Sequence, residues 1–201
     1  MSFNGHYIDW RKTRINKILS IFGDEFFKGK TILELGAGYG DNGKIFESLG
    51  SIVTCAEGYI DNYNVIPGKK ILLDQDIKWN LGETFDIIIH WGVLYHLDNW
   101  EQDLECALQH SSCIFLESEV SDSDDENFEI KVNESGNDQA VNKIGSRPSA
   151  NKIEKLLKNN GAKFTRYDDE DINSSFHCYN WEVKNTKTWK SGLRRFWVIK
   201  K

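Results

Sequence analysis

Residues Ile32–Gly43 read ILELGAGYGDNG, and this stretch is the strongest structural signal in the chain. An apolar run of strand type ends at Leu35, and Gly36, Gly38 and Gly40 follow before a segment with a helical pattern. Glycines at such a turn permit positive φ and let the backbone approach a ligand closely. The start of the following helix offers free N–H groups and the positive end of its dipole. This strand–turn–helix order predicts a site for a nucleotide-like cofactor.

Short apolar runs of the same kind recur along the chain. Five are present: Thr31–Leu35, Ile52–Ala56, Lys70–Leu73, Phe85–Trp91 and Cys113–Glu117. Their β-branched and bulky residues are typical of strands buried on both faces of a parallel sheet. The intervening segments Asn42–Gly50 and Trp100–His110 carry apolar residues on one helical face. The alternation predicts a doubly wound, Rossmann-like α/β fold with helices on both faces of the sheet.

Segments at the two ends of the chain complete the predicted domain. Asp9–Phe22 has apolar residues at helical spacing and is expected to pack as an N-terminal helix. Ser149 is a suitable N-cap for a helix that ends at Gly161. The runs Lys163–Tyr167 and Arg195–Lys200 can pair as an antiparallel edge of the sheet.

We expect a single domain over residues 1–201, with a helical segment at 1–28. Residues 119–145 are polar and acidic, so we expect a long loop or lid with little regular structure there. A solvated insertion without function explains their composition equally well.

The bulk composition excludes few classes of protein. Hydrophobic residues make up 39% and charged residues 28%, which leaves enough apolar material for a core. The net charge of −6 gives no general attraction to nucleic acids or anionic membranes. The four cysteines show no C-x-x-C pair, and the first residues, MSFNGHYIDWRK, show no apolar run. We therefore expect reduced thiols, no secretory signal, no membrane span and a cytoplasmic protein.

Two cofactors compete for the glycine-rich turn. Gly38–Gly43 formally matches G-x-G-x-x-G, the dinucleotide fingerprint, and a nicotinamide-dependent oxidoreductase is therefore an alternative. Asp41 would then lie close to the phosphate charge, which is unfavourable. S-adenosylmethionine instead carries a cationic sulfonium and an ammonium group, for which Glu34 supplies a carboxylate. The order of one acid and then three glycines favours the methyl donor.

Acidic residues after the next two strands extend this cofactor prediction. Glu57 ends the second run and can accept hydrogen bonds from both ribose hydroxyls of either cofactor. After the third run, Asp76 can accept from the adenine amino group while Ile77 packs on the ring; we prefer Asp76 to Asp74. Solvated loop acids are the alternative for all three carboxylates.

Four segments together resemble the class I S-adenosylmethionine-dependent methyltransferases over residues 29–201. They are ELGAGYG (34–40), Glu57, DQDI (74–77) and FDIIIHWGVLYHLDN (85–99). The resemblance implies a seven-stranded sheet of order 3-2-1-4-5-7-6 with an antiparallel last strand, and S-adenosylhomocysteine as the product. It assigns cofactor contacts to Glu34, Gly36, Ala37, Gly38, Gly40, Glu57, Gly58, Asp76, Ile77 and Trp91. WGVLYHL and the later SRPSANKIEKLLKNNGAKF are also similar to methyltransferases of small molecules, sugars and transfer-RNA wobble uridine.

The end of the fourth run is where the acceptor and the methyl group should meet, because ligands bind beyond the carboxyl ends of such strands. His96, Tyr95 and His90 are the candidate catalytic residues, and histidine suits a general base near neutral pH. A structural role for His96 is an equal alternative. Tyr95 and Trp91 could also be core or cofactor-packing aromatics.

The absence of certain motifs excludes several classes of methyltransferase. The chain lacks the Asp/Asn-Pro-Pro-aromatic motif of base amino methyltransferases, the Pro-Cys nucleophile of cytosine C5 enzymes and the metal-binding Asp of catechol-type enzymes. Its five histidines form no recognisable metal constellation. We expect metal-free methylation of an O or N atom on a small molecule or sugar, with transfer RNA as an alternative acceptor.

The C-terminal stretch bears on possible partners. From Lys184 to Lys201 there are seven basic residues and no acidic one, interleaved with Trp189, Phe196 and Trp197. Basic and aromatic side chains in alternation can bind single-stranded RNA. A terminal hairpin with buried aromatic residues is the favoured explanation. Arg147 is a candidate to hold an anionic group of the acceptor. A non-catalytic, cofactor-binding partner subunit is the remaining alternative.

Overall fold

The computed structural model describes residues 5–136 and 139–201, and residues 5–7 by their backbone alone. Residues 1–4 of the predicted N-terminal segment and 137–138 of the predicted acidic loop lie outside the described residues. The helices are α1 (Gly5–Phe22), α2 (Asp41–Ser48), α3 (Ile60–Val65), α4 (Trp100–His110) and α5 (Ala150–Asn159). The strands are β1 (Thr31–Leu35), β2 (Ile52–Glu57), β3 (Lys69–Leu72), β4 (Ile87–Trp91), β5 (Cys113–Glu119), β6 (Glu129–Asn133), β7 (Ile144–Pro148), β8 (Lys163–Tyr167) and β9 (Arg194–Lys200).

Seven of these strands form one sheet in the order β3-β2-β1-β4-β5-β9-β8. The first five strands in chain order are parallel, and β9 runs antiparallel to both β5 and β8. Leu35 is level with Ala56 on one neighbouring strand and His90 on the other, so the carboxyl ends of β1, β2 and β4 meet at one edge. The predicted fold, strand order and antiparallel last strand are confirmed.

Apolar side chains cover both faces of the sheet. On one face, Trp100, Leu104 and Ile153 from α4 and α5 pack on the sheet. On the other face, Ile18 of α1 and Phe46 of α2 do the same. Two-sided burial removes strand side chains from water, which is worth about 25 cal/mol per Å², and explains why the central strands β1, β4 and β5 are largely apolar.

The residues between β5 and α5 differ from the expectation of little regular structure. β6 and β7 pair as an antiparallel ribbon, with Ile130 opposite Arg147 and Val132 opposite Gly145. The sequence EIKVN alternates polar and β-branched residues, a strand pattern that outweighs the acidic composition around it. The segment 119–145 therefore contains β6 and the start of β7, where we expected little regular structure.

The described residues contain neither a membrane-spanning helix nor a cluster of metal ligands. Of the helices there, none combines the length and hydropathy that crossing a bilayer requires. Within residues 5–136 and 139–201, no group of three or more histidine, cysteine or acidic side chains is arranged to hold a metal ion.

Candidate active site

A cavity of about 700 Å³ opens at the carboxyl ends of the parallel strands. Its wall also includes residues of the β6–β7 ribbon and of the late segment 176–194. The predicted site residues that line it are Gly36, Ala37, Gly38, Glu57, Gly58, Trp91, Tyr95 and His96. The predicted site residues outside its lining are Glu34, Gly40, Asp76, Ile77 and His90.

The glycine turn between β1 and α2 forms one wall. Gly36 and Gly38 have φ of 61° and 59°, in the left-handed region that favours glycine. A Cβ on Gly36 would lie 2.6 Å from Cγ2 of Val93, so only glycine fits there. The Glu57 carboxylate accepts hydrogen bonds from the Gly38 N–H at 2.7 Å and the Tyr59 N–H at 2.9 Å. Glu57 thus fixes the turn while standing in the cavity wall.

Glu34 lies beneath this turn rather than in the cavity. Its carboxylate accepts from the Gly43 N–H at 2.9 Å and from Nδ2 of Asn42 at 2.8 Å. Burial raises the pKa of Glu34 to about 7, although these two hydrogen bonds oppose the rise. The carboxylate holds the start of α2 onto β1, and the predicted contact with a sulfonium or ammonium group is not supported. Gly40, in the left-handed region, is the N-cap of the same helix.

Of the two acids after β3, Asp74 lines the cavity and the predicted contact residue Asp76 does not. Asp76 accepts from the Asn99 N–H at 2.8 Å and from Nδ2 of Asn142 at 3.0 Å, so it ties two loops together. Ile77 is 63% exposed and does not line the cavity. Asp74 and Gln75 line it instead. The preference for Asp76 over Asp74, and the packing role of Ile77, are therefore not supported.

Gln75 is a cavity residue that the sequence reasoning missed. Its Nε2 donates to both carboxylate oxygens of Asp103, at 3.1 and 3.2 Å. Asp103 is fully buried on α4 and also accepts from Nε1 of Trp79 at 2.8 Å. With the amide nitrogen engaged, the carbonyl oxygen is the atom of Gln75 that can accept a hydrogen bond in the cavity.

His90 belongs to the same buried group and not to the cavity. Its Nε2 lies 2.6 Å from Oδ2 of Asp103, and its side chain is completely buried. A histidine enclosed between β4 and α4 cannot reach an acceptor molecule, so the candidate role of His90 as a general base is not supported. No local sequence signal distinguishes it from His96, six residues later.

His96 and Tyr95 follow β4 in a short 3₁₀ turn and line the cavity. Nδ1 of His96 lies 2.5 Å from Oε2 of Glu134, a residue at the end of β6. Burial raises the pKa of Glu134, but hydrogen bonds from His96 and Arg147 outweigh burial and bring it below its ordinary value. Burial raises the pKa of Tyr95 to about 12, which keeps its hydroxyl protonated at neutral pH. His96 is therefore better suited than Tyr95 to take a proton.

Buried ion pairs form the floor beside His96. The members are Arg14, Arg147, Arg194, Glu117, Glu119 and Glu134, each at most 4% exposed. Arg194 pairs with Glu117 at 2.9 Å and Glu119 at 3.2 Å. Arg147 pairs with Glu119 at 3.2 Å and with Glu134. Three guanidinium groups thus face three carboxylates, so the charge of Arg147 is already balanced without an anionic acceptor. These partners lie 13 to 103 residues apart, beyond the reach of sequence reasoning.

The basic and aromatic C-terminal stretch is divided between the core and the surface: residues 194–199 are buried, whereas Lys184, Lys187, Lys190, Lys200 and Lys201 are exposed. Arg194, Arg195, Phe196 and Trp197 are all buried in β9, which pairs with β8. Nη1 of Arg195 donates to the carbonyl oxygen of Tyr179. The predicted antiparallel pairing of the two late runs is confirmed, and the four buried residues present no surface to RNA.

Comparisons with known proteins agree with this architecture. A family model described as a methyltransferase domain matches residues 7–183. The N-terminal domain of EvdMO1, crystallised with SAH and D-fucose, is 15% identical with a TM-score of 0.65, covering 95% of this chain and 81% of that one. The chain in the DhpI-SAM-HEP complex is 14% identical with a TM-score of 0.65, covering 99% and 89%.

A third solved structure is similarly related. Magnesium protoporphyrin IX methyltransferase (ChlM) from Synechocystis PCC 6803 with bound SAM is 12% identical with a TM-score of 0.62, covering 100% of this chain and 86% of that one. At these identities the likeness concerns the fold. No curated protein matches the sequence.

Proposed function

The chain belongs to the methyltransferase domain family, and from that premise we propose that it transfers the methyl group of S-adenosylmethionine to an O or N atom of a small molecule or sugar. The observation that carries the proposal is one cavity that joins two sets of groups. One set, the glycine turn with Glu57 and Gln75, suits an adenosyl group. The other, His96 with Glu134, suits removal of a proton.

The residues present fit the proposed cofactor. The turn 36–38 lets backbone approach the ligand, and Glu57 provides a carboxylate for ribose hydroxyls. The carbonyl oxygen of Gln75 provides an acceptor for the adenine amino group, in place of Asp76. Gly58 and Trp91 complete this part of the wall. When bound, S-adenosylmethionine supplies a methyl group activated by the sulfonium.

The acceptor side performs positioning and proton removal. Methyl transfer is an in-line displacement in which the bond to the acceptor atom forms as the carbon–sulfur bond breaks, so orientation contributes much of the rate. His96 takes the proton that the acceptor hydroxyl or amine loses. Tyr95, whose hydroxyl accepts from Nη2 of Arg194 at 3.0 Å, is held in place as part of the wall.

The balanced floor favours an uncharged acceptor. Every arginine there is paired with a glutamate, and an added anion would find no unbalanced cation among them. The D-fucose present with EvdMO1 agrees with a sugar or comparable small molecule. Burial of Phe196 and Trp197 removes two of the three aromatic rings of the C-terminal stretch from stacking on RNA bases. His96 in the cavity wall argues against a non-catalytic partner subunit.

Calorimetric titration tests the cofactor. We expect the purified protein to bind S-adenosylmethionine and S-adenosylhomocysteine and not NADH. Gln75→Ala should weaken binding of S-adenosylhomocysteine about fivefold, because one hydrogen bond to the ligand is worth about 1 kcal/mol. Gln102→Ala on the outer side of α4 is the matched control and should bind as the wild type does.

One outcome would contradict the proposed function and another only the proposed role of Gln75. Binding of NADH alone would identify a nicotinamide enzyme. Equal affinities of wild type and Gln75→Ala would remove Gln75 from the cofactor site while leaving the methyl donor assigned.

A further inference from the structure

The β6–β7 ribbon brings a carboxylate to His96 from outside the parallel sheet. Glu134 directly follows β6 and is 3% exposed. One of its oxygens lies 2.5 Å from Nδ1 of His96, and the other accepts from Nη2 of Arg147 on β7. Both oxygens of this carboxylate are thus occupied, each by a different partner.

The same ribbon is anchored at the cofactor side of the cavity. The carbonyl oxygen of Ala140 accepts from the hydroxyl of Tyr59 at 2.9 Å, and Nδ2 of Asn142 donates to Asp76 at 3.0 Å. Lys131 on β6 donates to the carbonyl oxygen of Asp98 at 2.7 Å. These contacts fix the ribbon on the loops after β2, β3 and β4, and thereby fix the place of Glu134 relative to His96.

We propose that Glu134 is a positioning residue that holds the proton of neutral His96 on Nδ1 and so leaves Nε2 free to take the acceptor's proton. An ionised carboxylate only accepts hydrogen bonds, so the nitrogen facing it must carry the hydrogen. Within the described ranges, Nε2 of His96 has no hydrogen-bond partner, and His96 lines the cavity. The role of His96 as the base rests on the proposed function. The contact between Glu134 and His96 is a property of the protein alone.

An isosteric substitution gives the sharpest test. In Glu134→Gln, the guanidinium of Arg147 still requires an oxygen, so the amide NH₂ is placed against Nδ1 of His96. Nδ1 must then accept, and the proton moves to Nε2. Glu129→Gln is the matched control, because Glu129 lies on the same ribbon but pairs with Lys131 and Lys152 away from His96.

The tautomer is measured by side-chain ¹⁵N NMR on the ¹⁵N-labelled, cofactor-free protein at pH 8, with the His96 signals identified by their loss in His96→Asn. We expect Nδ1 to be protonated in the wild type and in Glu129→Gln, and Nε2 in Glu134→Gln. If Glu134→Gln does not fold, Glu134→Ala serves instead and should lose the Nδ1-protonated form.

An Nδ1-protonated His96 in the folded Glu134 variants, or an Nε2-protonated His96 in the wild type, would overturn the proposal. The readout needs neither cofactor nor acceptor. Failure to bind S-adenosylhomocysteine would therefore defeat the proposed function while leaving this measurement interpretable.

Discussion

At the scale of single residues, Glu34 and Glu57 show that similar buried carboxylates take different roles depending on whether they face the cavity. Both are buried carboxylates on neighbouring strands, and both accept backbone N–H groups near the glycine turn. Glu57 stands in the cavity wall, whereas Glu34 is enclosed beneath the turn. The ionised form of Glu34 loses its hydration when it is enclosed, and its two hydrogen bonds do not fully replace that hydration. The pKa of Glu34 is therefore raised.

The raised pKa of Glu34 predicts a specific pH dependence of stability. The unfolded carboxyl titrates near 4.5 and the folded one near 7, so between these values the folded state binds more protons. Stability contributed by this group is therefore lost as the pH rises through that window, by on the order of 3 kcal/mol. Glu34→Gln stays uncharged and should lack this contribution.

Urea denaturation of wild type and Glu34→Gln at pH 5 and pH 8 measures the effect. The free energy of unfolding of the wild type, relative to that of the variant, should be lower at pH 8 than at pH 5. Glu25→Gln, at a side chain that is 91% exposed, should track the wild type. A wild-type-to-Glu34→Gln difference that does not change with pH would contradict the pKa assigned to Glu34.

At the scale of elements, the start of α5 follows a local capping rule, whereas the β6–β7 ribbon does not follow the acidic composition of its segment. Ser149 is the N-cap of α5 as predicted, and its Oγ accepts from the Lys152 N–H at 3.0 Å. The acidic stretch instead folds into β6 and β7, because alternating Ile130 and Val132 suit a strand. Local capping chemistry is short-range and readable, whereas ribbon formation depends on a partner strand.

Loss of the Ser149 cap should destabilise the protein. Ser149→Ala removes the bond to the Lys152 N–H and the bond from Ser149 Oγ to the carbonyl oxygen of Asp125 at 2.6 Å. We expect a loss of about 1–2 kcal/mol in the free energy of unfolding, measured by urea denaturation. Ser48→Ala, at the exposed end of α2, is the control and should cost less than about 0.5 kcal/mol. Equal effects of the two substitutions would argue against the cap.

At the scale of the whole molecule, the buried ion pairs connect elements distant in the chain. Arg14 comes from α1, Glu117 and Glu119 from β5, Arg147 from β7 and Arg194 from β9. Removal of one partner leaves a buried charge uncompensated, which costs more than the intact pair contributes. The floor of the cavity is thus also a structural junction of the domain.

Arg194→Met tests this junction. It leaves Glu117 and Glu119 each short of a partner, so we expect a loss of about 3–5 kcal/mol. For a domain of this size, the melting temperature should fall by about 6–20 °C in differential scanning calorimetry. Lys200→Met, at the exposed end of the same strand, should change the melting temperature by less than about 2 °C. A melting temperature unchanged by Arg194→Met would show that the pairs are not needed for stability.

The sequence alone indicated the strands and the glycine turn, because strand burial and glycine conformation are properties of short segments, whereas the strand order came from the resemblance to the methyltransferases. It also placed Glu57, Tyr95 and His96 near the cavity, since strand ends meet at one edge of a parallel sheet. Only the tertiary structure separated His96 from the enclosed His90, placed Gln75 rather than Asp76 in the cavity wall, and brought Glu134 and the arginines to the floor. Such pairings join residues far apart in the chain, and whether a polar side chain faces a cavity or a buried partner depends on packing that no local pattern encodes.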